Sequence, residues 1–315
     1  MVINSSVAYV FPGQGAQTVG MGKELYDGFA SAKAIFDKAD DILGFPISKL
    51  CFEGPEEDLN LTINTQPAML TVSVACLEAI KETFGSNFPP PLFVAGHSLG
   101  EYTALVAAGV IDFASAVHLA RERGRLMNEA GTAQPGGMLA VLGLDEPLLA
   151  EVCRDTDTCI ANYNCPGQLV VSGAIQNLPQ AMEQALAKGA NRTVSLQVSG
   201  AFHSPLMKPA QESLADIIAD ITFNEAEVPV IANVTAQPIT TGDEIKNELT
   251  EQLCNGVQWQ RSVEYMIENG VTAFIEIGHG KVLTGLIRRI SKAVTIQNIG
   301  DAQSINKWLP ENISG

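Results

Sequence analysis

Histidine is scarce in this chain, with four residues in 315, and basic residues are outnumbered, 19 Lys and Arg against 35 Asp and Glu. The formal net charge of −16 argues against non-specific nucleic-acid binding, because phosphate contact needs clustered cations. No run approaches the roughly 18 apolar residues of a membrane span. The opening segment, Met1 to Phe11, has neither a basic start nor a long apolar stretch, so it does not read as a signal peptide. Six cysteines (Cys51, Cys76, Cys153, Cys159, Cys165 and Cys254) are scattered, with no C-x-x-C pair and no zinc spacing to histidine. That pattern suits reduced thiols and a cytoplasmic location.

Hydrophobic residues make up 46% and charged residues 17%, enough for a sizeable core. The length fits one large domain, or a large domain with a smaller partner. Ser6–Phe11 reads as a strand, followed by Pro12-Gly13-Gln14-Gly15 and a helical stretch through Ala30. Leu92–Ala95 is a continuous apolar run suited to a strand buried on both faces, and it turns directly into a helix over Tyr102–Gly109. A second helix runs over about 114–130. Such alternation predicts an α/β fold with a parallel sheet and helices on both sides. Beyond a Gly/Ala/Pro linker at 131–137, strands at 138–142, 168–172 and 192–198 alternate with helices at 146–153 and 178–189. This reads as a small ferredoxin-like insert over 131–197, the large domain being 1–130 and 198–315.

Between the buried strand and its helix lies Gly96-His97-Ser98-Leu99-Gly100, a Gly-x-Ser-x-Gly nucleophile turn. Small neighbours admit the tight turn, and the hydroxyl of Ser98 then projects at a helix N-terminus. Backbone N–H groups there, that of Leu99 included, can face a developing oxyanion.

A serine nucleophile needs a base, and the four histidines are few enough to compare. His97 adjoins Ser98, so its side chain should diverge from the hydroxyl. At about 100° per residue His118 falls on the helix side of Arg121, Glu122, Arg125 and Glu129, a solvated face. His279, in Gly278-His279-Gly280, reads as a loop residue. His203 remains, in Gly200-Ala201-Phe202-His203-Ser204-Pro205, with Ser204 and Pro205 suited to open a helix whose N-terminus keeps an imidazole neutral. No Asp or Glu flanks His203, which leaves the third member of a triad open.

On the 114–130 helix, Ala116, Ala120, Arg123, Met127 and Ala130 fall within a sector of roughly 80°, Arg123 at its centre. Arg121 and Arg125 lie opposite, on the charged face. Gly124 allows another element to approach closely. A buried arginine must be paired. Two readings stand: an internal ion pair with Asp or Glu, or a clamp for a substrate carboxylate. The N-terminal glycine turn suggests a rival class, a dinucleotide-binding module. Its third fingerprint position is occupied by Thr18, however, and the next glycine, Gly20, comes two residues late. A non-catalytic module that binds carrier proteins would not need both Ser98 and His203.

Together these residues resemble the malonyl-CoA:acyl carrier protein transacylase family over nearly the whole chain. The resemblance is carried by Phe11–Gly15, Thr65-Gln66-Pro67-Ala68, Gly96–Tyr102, Arg121–Gly124, Gly200–Ser204, Gln258-Trp259 and Gly280–Gly285. It implies an α/β-hydrolase-like large domain, Ser98 as nucleophile, His203 as base, and the N–H groups of Gln14 and Leu99 as the oxyanion hole. It further implies that Arg123 binds the malonyl carboxylate, that the backbone carbonyl of Gln252 orients the histidine, and that Phe202 disfavours α-branched acyl groups. Malonyl-CoA and acyl carrier protein are the implied partners, with no metal or redox cofactor. A polyketide-pathway acyltransferase or an acyl hydrolase is the alternative on the same dyad. The family commonly has Pro where this chain has His279. Because carrier proteins of this kind are acidic, docking on an acidic chain calls for a local basic patch, for which Lys281, Arg288, Arg289 and Lys292 are candidates.

Overall fold

The computed structural model describes residues 6–309; the two ends of the expected large domain, Met1 to Ser5 included, lie outside the described residues. Ten strands are seen among them. In chain order they are β1 (Val7–Phe11), β2 (Phe93–Gly96), β3 (Gly136–Leu142), β4 (Thr158–Cys165) and β5 (Gln168–Ala174). Then come β6 (Arg192–Ser195), β7 (Val230–Ile231), β8 (Pro238–Ile239), β9 (Ala273–Ile277) and β10 (Thr295–Ile299).

The larger sheet has the order β10-β9-β1-β2-β7-β8, parallel except for β8, which runs antiparallel to β7. Strands β1, β2 and β9 are buried at every position. Alternation divides β1 between two cores. Val7, Tyr9 and Phe11 join one apolar cluster, while Ala8 and Val10 join another with Trp259, Val263 and Leu286. Helices therefore cover both faces, which is why these strands read as unbroken apolar runs.

The second sheet has the order β4-β5-β3-β6 and is antiparallel throughout. With the helices Glu146–Asp155 and Leu178–Ala187 it forms a βαββαβ unit of ferredoxin-like order. The sequence reading lacked β4. Polar Asn162 and Asn164 and two register shifts break the alternation that would have announced it.

Three other boundaries differ from expectation. No helix opens at the first glycine turn: residues 12–22 are irregular and the first helix is Lys23–Gly28, which removes the helix a dinucleotide site needs. The long helix is Phe113–Ala133, so its last turn takes up residues assigned to a linker, and Gly136 and Gly137 already belong to β3. Strand β6 stops at Ser195, because the apolar Leu196 and Val198 line a cavity instead of extending the sheet. Among the described residues, no helix is long and apolar enough to cross a membrane.

Candidate active site

The nucleophile turn follows β2 and leads straight into the helix Gly100–Ala107. Both flanking glycines are required by contact. A Cβ on Gly96 would sit 1.9 Å from the carbonyl carbon of Gly100, and one on Gly100 would sit 2.1 Å from the Phe11 oxygen. Ser98 itself has φ of 51°, left-handed backbone that few side chains adopt. The turn is held by a residue sequence reasoning missed. Asn233, just beyond β7, accepts the Ser98 N–H at 2.7 Å and donates to the Gly96 carbonyl at 2.7 Å. Its place at the carboxyl end of a parallel strand was the available signal.

His203 joins Ser98 across 105 residues of sequence: Ser98 Oγ lies 2.8 Å from His203 Nε2. On the far side of the ring, Nδ1 lies 2.7 Å from the backbone carbonyl of Gln252. A carbonyl can only accept, so Nδ1 carries the proton and Nε2 is free to take the serine's. A neutral carbonyl thus occupies the position a third carboxylate would have filled. Burial, and then the charge of Arg123, drive the His203 pKa down to about 3. Ser204 caps only a short 3₁₀ turn, Pro205–Met207, and the helix proper starts at Lys208. His203, like Ser98, sits in left-handed backbone, with φ of 57°.

The other histidines are elsewhere. His97 points away from the hydroxyl to Asn164 of β4, at 2.8 Å, and its ring lies 5.7 Å from that of Trp259. His118 is exposed. His279 meets Thr18 Oγ1 at 2.7 Å and lines a separate cavity with Gly20 and Asp301.

Arg123 is 1% exposed and reaches the Ser98 hydroxyl. Its Nη2 donates to Ser98 Oγ at 3.1 Å and to Gln252 Oε1 at 2.8 Å, and its Nη1 donates to Gln66 Oε1 at 2.7 Å. The guanidinium also lies 5.4 Å from the Tyr102 ring centroid. Gly124 lets its helix approach the start of the helix Thr62–Phe84, where an added Cβ would come within 2.7 Å of the Thr62 oxygen. That contact brings Gln66 to Arg123. Among the described residues no carboxylate forms a salt bridge with Arg123, so of the two sequence readings the direct internal ion pair is absent. Its Nε has no partner among them. Arg121, expected on the charged face, instead folds back on the Ile63 carbonyl at 3.0 Å and over the Phe45 ring.

A cavity of about 110 Å³ opens onto these groups, lined by Gln14, Ser98, Arg123, Asn162, Phe202 and His203 among others. Gln14 Oε1 accepts from Thr62 Oγ1 at 2.9 Å, which fixes its loop. Among the described residues no group accepts from the N–H of Gln14 or of Leu99, whereas that of Ser98 is taken by Asn233.

The chain matches the family model for the acyl transferase domain over residues 8–313. The malonyl CoA-acyl carrier protein transacylase of Bacillus subtilis is 47% identical over 306 residues, 96% of this chain and 95% of that one. An acyl carrier protein S-malonyltransferase from Vibrio cholerae superposes with a TM-score of 0.91 at 41% identity, covering 96% of this chain and 99% of its own. A malonyl-transacylase solved in complex with its type II PKS acyl-carrier protein gives 0.91 at 39% identity, with 95% and 97% covered.

The depressed His203 pKa has a sign that can be measured. An imidazole acting as a base is neutral and competent above its folded pKa, so with His203 in that role the acid limb of kcat/KM for acyl loading should have its midpoint well below the ordinary histidine value of 6.5. A midpoint at or above 6.5 would contradict the buried environment. Linkage runs the same way: between the folded and unfolded pKa values the unfolded chain binds the extra proton, so this group removes stability as pH falls below about 6.5.

Proposed function

The chain belongs to the acyl transferase domain family, and we propose that it moves a malonyl group from malonyl-CoA to the phosphopantetheine thiol of an acyl carrier protein. The observation that carries this reading is Arg123, a buried cation without a carboxylate partner among the described residues, 3.1 Å from the Ser98 hydroxyl. An acyl group bearing its own carboxylate supplies the missing charge and is fixed beside the nucleophile.

The cycle is ping-pong. Ser98 Oγ attacks the thioester carbonyl while His203 Nε2 takes its proton. The N–H groups of Leu99 and Gln14, which have no partner among the described residues, face the oxyanion. As it collapses, the carbon–sulfur bond breaks and the imidazolium returns its proton to the departing coenzyme A thiolate. The carrier thiol then gives its proton to His203 and attacks the serine ester; the bond from the acyl carbon to Ser98 Oγ breaks, and the imidazolium returns the proton to that oxygen. The Gln252 carbonyl keeps the ring in one tautomer through both halves. No step is routed through a metal or redox cofactor; malonyl-CoA enters as substrate. Fatty-acid synthesis is the pathway this product serves, in a reducing cytoplasm that suits six free thiols.

Replacing Ser98 with Ala should abolish the malonyl adduct seen by mass spectrometry after incubation with malonyl-CoA; a persisting adduct at another residue would reject the assignment. Arg123→Ala should lower malonyl transfer by about 100-fold while sparing acetyl transfer, and equal losses would leave Arg123 a structural role only. Lys281, Arg288, Arg289 and Lys292 are all exposed at or near the amphipathic helix Val282–Ile290, and Arg289 reaches Gln168 of β5. Reversing these charges should raise the KM for carrier protein and leave that for malonyl-CoA unchanged; steady-state kinetics that show no such split would remove the patch from the docking surface.

A further inference from the structure

Arg123 touches no carboxylate among the described residues, yet one lies a single side chain further on. Gln252 Oε1 accepts from Arg123 Nη2 at 2.8 Å, and the Nε2 of the same amide donates to Glu101 Oε2. Glu101 is fully buried, and its Oε1 accepts the Asn233 N–H at 2.9 Å. Gln252 Nε2 also donates to the Ser98 carbonyl at 3.0 Å. Each oxygen of Glu101 therefore holds one of the two residues that grip the backbone of Ser98.

We propose that Glu101 is the counter-charge of Arg123, kept one amide away so that the guanidinium stays open to the carboxylate of the substrate. The inference rests on the reading of Arg123 as the malonyl clamp. A lone guanidinium in the interior is costly. A carboxylate in direct contact would remove that cost but would compete with the substrate for the same fork of donors. The Gln252 amide meets both demands, with its oxygen toward the cation and its N–H toward the anion. The amide dipole is thereby aligned between opposite charges. A second carboxyl, Glu248, stands close by and accepts the Val234 N–H at 2.8 Å. Burial, followed by Glu248, pushes the Glu101 carboxyl upward, and burial pushes Glu248 to about 7. The N–H groups of Asn233 and Gln252 and the charge of Arg123 act in the opposite direction and favour the carboxylate form of Glu101.

The exchange variant E101Q/Q252E tests this. It moves the carboxylate into contact with Arg123, while the amide placed at position 101 still accepts from Asn233 and donates to the carboxylate placed at position 252. The Ser98 carbonyl loses its donor, which slows transfer of any acyl group, so the readout is the ratio of malonyl to acetyl transfer. That ratio should fall at least ~10-fold in a variant that melts as cooperatively as the parent. Arg123→Ala is measured beside it. If Arg123→Ala leaves the ratio intact, the clamp reading fails. If Arg123→Ala lowers the ratio and the folded exchange variant does not, the counter-charge proposal is overturned. Should the exchange variant not fold, Glu101→Gln alone decides. Removing the counter-charge should lower the inhibition constant of free malonate at least ~3-fold, and an unchanged or higher constant overturns the proposal.

Discussion

The site depends most on the bond between His203 Nδ1 and the Gln252 carbonyl. That bond fixes which ring nitrogen faces Ser98, and it does so without a negative charge. A carboxylate there would stabilise the imidazolium and raise the basicity of the histidine. With a neutral acceptor, burial and the nearby Arg123 prevail, and the ring stays uncharged. Gln252 serves twice over, since its side chain meets Arg123, Glu101 and the Ser98 carbonyl. One residue thereby sets the proton position on the His203 ring and the orientation of the Arg123 guanidinium.

The two sheets contribute unequally. The parallel sheet supplies the turn at the end of β2 and places Asn233 beyond β7. The antiparallel sheet supplies a wall: Asn162 and Met138 line the cavity, and Asn164 ties His97 to β4. The nucleophile turn is thus bonded to the smaller unit through the residue next to Ser98. His97 is excluded from proton transfer by its direction and acts as a fastener between the units.

Ser98, His203 and the phase of Arg123 were legible because each follows from a local rule: a turn that admits only small neighbours, a count of four histidines, and a helical period. The parallel strands were legible because burial on both faces leaves no polar interruption. Strand β4 was not, for the converse reason that its asparagines face the site instead of a core. Asn233 escaped notice altogether, and Gln66 and Glu101 stood inside the motifs of the resemblance without a role. Nothing in a neutral amide, or in one acid among 35, marks it as a partner of residues far away in the chain. The transacylase resemblance supplied the Gln252 carbonyl, but the bonds of its side chain come only from the folded chain.

The left-handed backbone at Ser98 limits more than shape. A hydroxyl is needed at that position, and two ordinary side chains carry one on Cβ. The methyl branch of threonine is poorly tolerated at positive φ, where even an unbranched residue is uncommon. The main chain therefore acts on the choice of residue before any chemistry does: at this φ the branch on Cβ weighs against threonine, and serine carries the same hydroxyl without it.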